Sequence, residues 1–186
     1  MTNKILNQSI ETLLNEQIIL YPTDTVWGLG CDATNIDAVA KIFKLKDRVE
    51  SKSLVVLVSS LEMLSTYVHS IPQKAIDIIT TTKNPTTIIY NNPKGLAANA
   101  IASDNTIAIR IPSHDYCLKI INKFGKPIIS TSANISGEPT PKSFSEISLP
   151  ILEGIDYVVN LEQDKITDKS STILKLVGND IEVIRA

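Results

Sequence analysis

Two cysteines, two histidines and one tryptophan occur in 186 residues. Cys31 and Cys117 are far apart and form no C-x-x-C pair. That argues against a disulfide framework and against zinc, and it suits a reducing cytoplasm. With His69 and His114 as the imidazoles, a His-rich metal centre is not available. A Ser-His-Asp relay would need one of these two, and both fall in apolar-periodic helices or at their caps. Excess positive charge is also missing. The 18 Lys and Arg against 20 Asp and Glu leave a net charge of -2, whereas a dedicated nucleic-acid binder is more often basic. Weak contact with tRNA or other RNA would therefore come from a local patch rather than a global field. The N-terminus, MTNKILNQSIETLL, has no long apolar core and no small-residue cleavage site, so neither a signal peptide nor a membrane span is expected. Neither GxxxxGK[ST] nor GxGxxG occurs, so neither a P-loop nor a Rossmann fingerprint is present.

What is there begins with 43% hydrophobic residues, enough for the core of one domain, and an ordinary 20% charged. The most informative stretch is residues 18–32, IILYPTDTVWGLGCD. It reads as a buried strand over 18–21, stopped by Pro22, a polar Thr23-Asp24-Thr25 turn, and a second short strand in which Gly28 and Gly30 permit close approach or a bulge. Ile5, Leu6, Ile10, Leu13 and Leu14 predict an amphipathic opening helix. Asn35 is a natural N-cap for a helix to about Lys46 with Ile36, Val39, Ala40, Ile42 and Phe43 inside. Residues 54–58, 86–90, 106–111, 127–129 and 157–159 read as strands, and 172–177 with 181–185 as a hairpin around Gly178-Asn179. Helices are expected from the Ser59–Glu62 capping spacing, from Pro72 to about Thr82, from a Ser113 cap to about Phe124, and from Thr140-Pro141 with the Ser143–Glu146 capping spacing. Residues 91–105 and 161–171 are long polar loops, the second a candidate lid. No repeat, low-complexity tract or linker interrupts this. The fold expected is α/β (α+β in type): a single three-layer domain over residues 1–186, with a twisted mixed parallel and antiparallel sheet and helices on both faces.

Polar residues at the predicted strand ends and adjoining loops are Thr25, Lys46, Arg48, Lys52, Thr106, Arg110, Ser130, Ser132, Asn134, Thr140, Ser171 and Arg185. This set is cationic and rich in hydroxyls, with no nucleophile–base pair and no cluster of metal ligands. Such a set suits holding phosphate, where arginine forks and positioned charge supply most of the catalysis. Each residue also has a plain structural role open to it. Lys46 and Arg48 suit the negative end of a helix dipole. Thr106 suits a strand, Thr140 a helix cap, Ser171 a loop and Arg185 an exposed chain end. Asp24 suits a turn cap, and Trp27 the core.

Four segments resemble one family. YPTDTVWGLGCD (21–32), Lys46-Asp47-Arg48, TIAIRIP (106–112) and STSANISG (130–137) are similar, in order, to signatures of the YrdC/TsaC family of threonylcarbamoyl-AMP synthases, in its short single-domain bacterial form. The resemblance implies the fold described above and a nucleotidyltransferase reaction. L-threonine, bicarbonate or CO2 and ATP, with Mg²⁺ accompanying the ATP, give threonylcarbamoyl-AMP and pyrophosphate. The product passes to the tRNA threonylcarbamoyl-transferase machinery, which modifies the adenosine beside the anticodon. By matching positions it implies a catalytic tetrad of Lys46, Arg48, Ser132 and Asn134. ATP contacts fall on Arg48, Lys52, Thr106, Ser132, Thr140 and Arg185, and threonine contacts on Thr25, Arg110, Ser130 and Ser171. It implies no protein side chain as a metal ligand. The chain departs from the family pattern at Lys83-Asn84-Pro85-Thr86-Thr87, at Val49 after the K-x-R, and at Leu57, where longer members carry histidine. Two other readings remain: a non-catalytic module of the same fold binding double-stranded RNA or tRNA, and a carbamoyl-adenylate activity like that of hydrogenase-maturation domains. The zinc-finger-like and acylphosphatase segments of the latter are absent here.

Overall fold

Side chains alternate across a strand, so a strand apolar at every position is covered on both faces. The central strands here are of that kind. In β1 (Ile19–Tyr21), Ile19 and Tyr21 belong to one core and Leu20 to the other. The same split places Leu57 of β3 (Val55–Leu57) opposite in sense to Val56. The structure is a computed structural model that describes residues 3–48, 54–178 and 180–186. The remaining strands are β2 (Gly28–Gly30), β4 (Thr86–Asn91), β5 (Thr106–Arg110), β6 (Ile128–Ser132), β7 (Tyr157–Val158), β8 (Thr172–Val177) and β9 (Asp180–Arg185). Among the described residues these nine strands form one sheet in the order β7-β1-β2-β6-β3-β5-β4-β8-β9. The pairs β1–β7, β3–β5 and β4–β8 are parallel and the others antiparallel, so the sheet is mixed as expected.

One face carries α2 (Ile36–Leu45), α3 (Leu61–Tyr67), α4 (Gln73–Thr81) and α6 (Leu149–Gly154), which bury Val39, Ile42, Phe43, Leu64, Ala75 and Ile151 in the larger core. The other face carries α1 (Asn3–Leu14) and α5 (Asp115–Phe124), whose Leu13, Tyr116, Cys117, Ile120 and Ile121 pack on Ile19, Tyr21, Leu57 and Ile128. This is the three-layer arrangement. Among the described residues no helix is long and apolar enough to cross a membrane.

Several local expectations are corrected. Asn35 caps α2 through its side chain, but Ile36 is exposed, Ala40 is half-buried and Ala38 takes the inner position. A first-turn side chain leans toward the helix N-terminus, beyond the packed part of the face. Leu14, at the end of α1, is also exposed. Ser113 does not cap α5. His114 holds the cap position without a side-chain bond, and the Ser113 N–H donates to Asp24 Oδ2 at 2.9 Å. Thr140-Pro141 starts no helix. Ser143 Oγ pairs with Ser145 Oγ at 3.0 Å and Glu146 Oε2 accepts from the Lys142 N–H at 2.8 Å, so only a 3-10 turn, Phe144–Glu146, forms before α6. The strand expected over 127–129 runs on as β6 to Ser132, which places Ser130 and Ser132 on the sheet itself. β2 has no bulge; an added Cβ at Gly30 would lie 2.6 Å from Tyr21 Cε1, so the glycine makes room for that ring.

Candidate active site

The face that carries α1 and α5 is only partly covered by them. Residues directly opposite in paired strands share a face. Val55 stands opposite Ser130, Leu57 opposite Arg110, Gly28 opposite Ser132 and Thr87 opposite Ile173, which in turn stands opposite Arg185. All of these lie on that uncovered part except Leu57, which sits under the helices. With Thr25, Arg48, Thr140 and the 168–171 segment they line a cleft of about 390 Å³. Gly28 keeps the floor open, since an added Cβ would lie 3.3 Å from Ser130 Oγ. Eight sequence-predicted residues therefore meet in one cleft: Thr25, Arg48, Arg110, Ser130, Ser132, Thr140, Ser171 and Arg185.

Arg110 ends β5 after the apolar run Ile107-Ala108-Ile109 and is 5% exposed. A buried guanidinium needs a counter-charge, and Asp24 supplies it: Arg110 Nη1 lies 2.7 Å from Asp24 Oδ1. Arg110 Nη2 reaches Thr25 Oγ1 at 3.4 Å, while its buried Nε has no hydrogen-bond partner. Asp24 is thus more than a turn cap. Sequence reasoning passed over it, although an arginine inside TIAIRIP demanded a carboxylate and Asp24 stood beside Thr25.

A tight turn presents the Lys46-Asp47-Arg48 group. Asp47 takes a left-handed φ of 48°, and the Arg48 N–H returns to Phe43 O at 3.0 Å, a Schellman-type end to α2. Lys46 is directed inward and Arg48 toward the cleft. Lys46 Nζ does not serve the α2 dipole. It is buried and donates to the backbone carbonyls of Ser132 and Asn134. Burial, and then the neighbouring Arg48 charge, lower its pKa from 10.5 to about 8. Burial lowers that of Arg48 as well. Lys46, Arg48, Ser132 and Asn134, with Asp47, Ser136 and Gly137, line a second hollow of about 230 Å³, which shares Arg48 and Ser132 with the first. Asn134 Nδ2 donates to Ile135 O and Glu138 O at 2.9 and 2.8 Å, which fixes the following turn.

The far wall is a clasp. Arg185 donates through Nε and Nη2 to Ser171 O at 3.2 and 2.8 Å, and Thr87 Oγ1 donates to Ser171 Oγ at 2.9 Å. One predicted residue, Thr106, falls outside the cleft. Thr106 shares its sheet face with Arg110 but sits at the other end of β5, about 13 Å away, bonded to Asp104 Oδ1 at 2.6 Å. Lys52 lies outside the described residues. Trp27 lines the cleft yet is 2% exposed and packs on Phe144 at 5.1 Å, a core residue.

Among the described residues no group of three His, Cys, Asp or Glu could hold a metal ion. Asp168 is the carboxylate that lines the cleft. Mg²⁺ keeps several waters and binds through phosphate oxygens with one or two carboxylates. The residues present fit an ion that arrives on a nucleotide.

The profile of the Sua5/YciO/YrdC family, described as "Telomere recombination", matches residues 11–186. A threonylcarbamoyl-AMP synthase of Pseudoalteromonas translucida (strain TAC 125) is 36% identical over 159 residues, covering 82% of this chain and 83% of that protein. One of Bacillus subtilis (strain 168) is 33% identical over 143 residues, 76% of this chain but 41% of that protein. The crystal structure of P. abyssi Sua5 complexed with L-threonine superposes with a TM-score of 0.88 at 26% identity, covering 97% of this chain and 53% of that one. The chain thus spans about half the length of that solved relative.

Proposed function

The chain belongs to the Sua5/YciO/YrdC family, and from that premise we propose that it is a threonylcarbamoyl-AMP synthase, a nucleotidyltransferase acting on L-threonine, bicarbonate or CO2, and ATP. One observation carries the reading: an arginine fork with hydroxyls in the cleft, and beside it a cationic hollow that shares Arg48 and Ser132 with the cleft. The fork suits a small amino acid and the hollow a polyphosphate.

Arg110, held by Asp24, takes the threonine carboxylate on its remaining N–H groups. Thr25, Ser130 and Ser171 meet the amine and side-chain hydroxyl. Arg48, Arg185, Thr140 and Ser132 face the nucleotide. Lys46 holds the backbone of Ser132 and Asn134 in place and adds its charge to the hollow. The threonine amine adds to CO2 and loses a proton, which gives a carbamate. A carbamate oxygen then attacks the α-phosphorus in line. The bond from that phosphorus to the β-phosphate oxygen breaks, and pyrophosphate leaves with the electron pair. The cationic groups stabilise the charge that gathers on the leaving group, so positioning and electrostatics supply the rate. Bound with ATP, Mg²⁺ would neutralise part of the triphosphate charge. Thr106 is not given an ATP contact in this reading, because it stands outside the cleft. The product goes on to the enzymes that modify tRNA. A net charge of -2 gives no support to the RNA-binding alternative.

Pyrophosphate release with ATP, threonine and bicarbonate, each omitted in turn, tests the reading. Release that needs all three is expected. Equal release without threonine describes a plain ATPase and overturns it.

A further inference from the structure

The hydroxyl of Thr25 has a fixed sense, and a neighbour outside the cleft lining fixes it. Thr23 is 3% exposed and is not among the residues that line the cleft. A threonine hydroxyl has one proton to give and two lone pairs to accept with. Thr23 Oγ1 lies 2.7 Å from Val26 O, a carbonyl that can only accept, so the Thr23 proton is committed there. Its lone pairs take the Thr25 N–H at 3.0 Å and face Thr25 Oγ1 at 3.0 Å. Within the Thr23–Thr25 pair the donor must then be Thr25. Its one proton points back into the protein, and toward the cleft Thr25 Oγ1 offers lone pairs only. One of these meets Arg110 Nη2 at 3.4 Å; the other is left for a ligand.

We propose that Thr23 is a positioning and specificity residue, which makes Thr25 an obligate acceptor beside the Arg110 fork and so selects a hydrogen-bond donor on the carbon next to a carboxylate. The inference rests on the threonine-binding reading above and adds the polarity of the site to it. Acting on the amine, this arrangement accepts an N–H and leaves the nitrogen lone pair for carbon dioxide. It refuses a ligand with a bare carbonyl oxygen at that carbon, since two acceptors would face each other there, one of them the buried Thr25 hydroxyl. A buried polar group left facing a like group is disfavoured by about ten- to a hundredfold in affinity.

The test uses 2-aminobutyrate and 2-oxobutyrate, which share a four-carbon skeleton and differ in having a donor or only an acceptor beside the carboxylate. Each competes with L-threonine in calorimetric titrations of wild type, Thr23→Val and Thr23→Ser. Wild type is expected to prefer the amino compound by roughly a hundredfold. In Thr23→Val the Thr25 hydroxyl is released to rotate and donate, so the preference should fall about tenfold. Thr23→Ser keeps the hydroxyl and should restore it. A melting curve of each variant monitors folding. Should Thr23→Val not fold, Thr23→Ala provides the same comparison. Loss of affinity for both compounds at an unchanged ratio makes Thr23 merely structural and overturns the inference while leaving the functional reading standing. Wild type that binds no threonine overturns both.

Discussion

Removing Asp24 tests the buried pair that anchors Arg110, the residue proposed to take the threonine carboxylate. Asp24 and Arg110 meet at 2.7 Å with side chains 7% and 4% exposed. Asp24→Ala strands a guanidinium in a place water does not reach, and breaking a buried pair of this kind costs about 3–5 kcal/mol. Arg110→Met strands the carboxylate and should cost a similar amount. The double variant leaves neither charge uncompensated, and replacing a whole buried pair by apolar groups is often close to neutral. The expected double-mutant cycle is therefore strongly non-additive, with the double variant more stable than either single one. Urea midpoints at constant m-value give the energies. For a chain of this size the single variants should melt roughly 6–20 °C lower. Singles that each lose under about 1 kcal/mol and simply add would mean that Arg110 finds its charge partner elsewhere, and the anchoring described above would be wrong.

Arg110→Lys should weaken threonine binding about ten- to a hundredfold, because one ammonium cannot copy a fork. ATP affinity measured without threonine should stay the same, and calorimetry of each ligand checks the division. Arg48→Ala should lower kcat/KM by about 2–4 kcal/mol of transition-state stabilisation with little change in melting temperature; wild-type turnover would remove Arg48 from the chemistry. Lys46 gives a pH signature. Its folded pKa of about 8 lies below the ordinary 10.5, so between those values the unfolded chain binds more protons and stability rises with pH. Relative to Lys46→Met, wild type should gain about 3 kcal/mol between pH 8 and 10.5. A stability difference flat across that range contradicts the burial of the charged amine.

Most of the architecture is legible in the sequence because the strands are short apolar runs and the helices carry clear periodicity. Arg110 is legible for the same reason: a charge between Ile109 and Ile111 must face away from their core. What fails to read from sequence depends on contacts across the fold. Lys46 looks like a helix-end charge until the carbonyls of Ser132 and Asn134, 86 and 88 residues on, claim its ammonium. Asp24 looks like a turn residue until β5 brings Arg110 to it. Thr106 shares a motif with Arg110, but strand length carries it out of the cleft. The capping spacing at Ser143 and Glu146 is real, yet both side chains bond elsewhere.

The central claim is that one cleft joins threonine, a one-carbon acid and the adenylate. Mass spectrometry of a reaction run with ¹³C-bicarbonate tests it most directly. A threonine–carbonyl–AMP product whose mass rises by one carbon-13 unit with the labelled bicarbonate, and whose rate of formation falls in Arg48→Ala and, at low threonine, in Arg110→Lys, is the result predicted. Formation of AMP or ADP alone, with no labelled adduct at any threonine concentration, would contradict it.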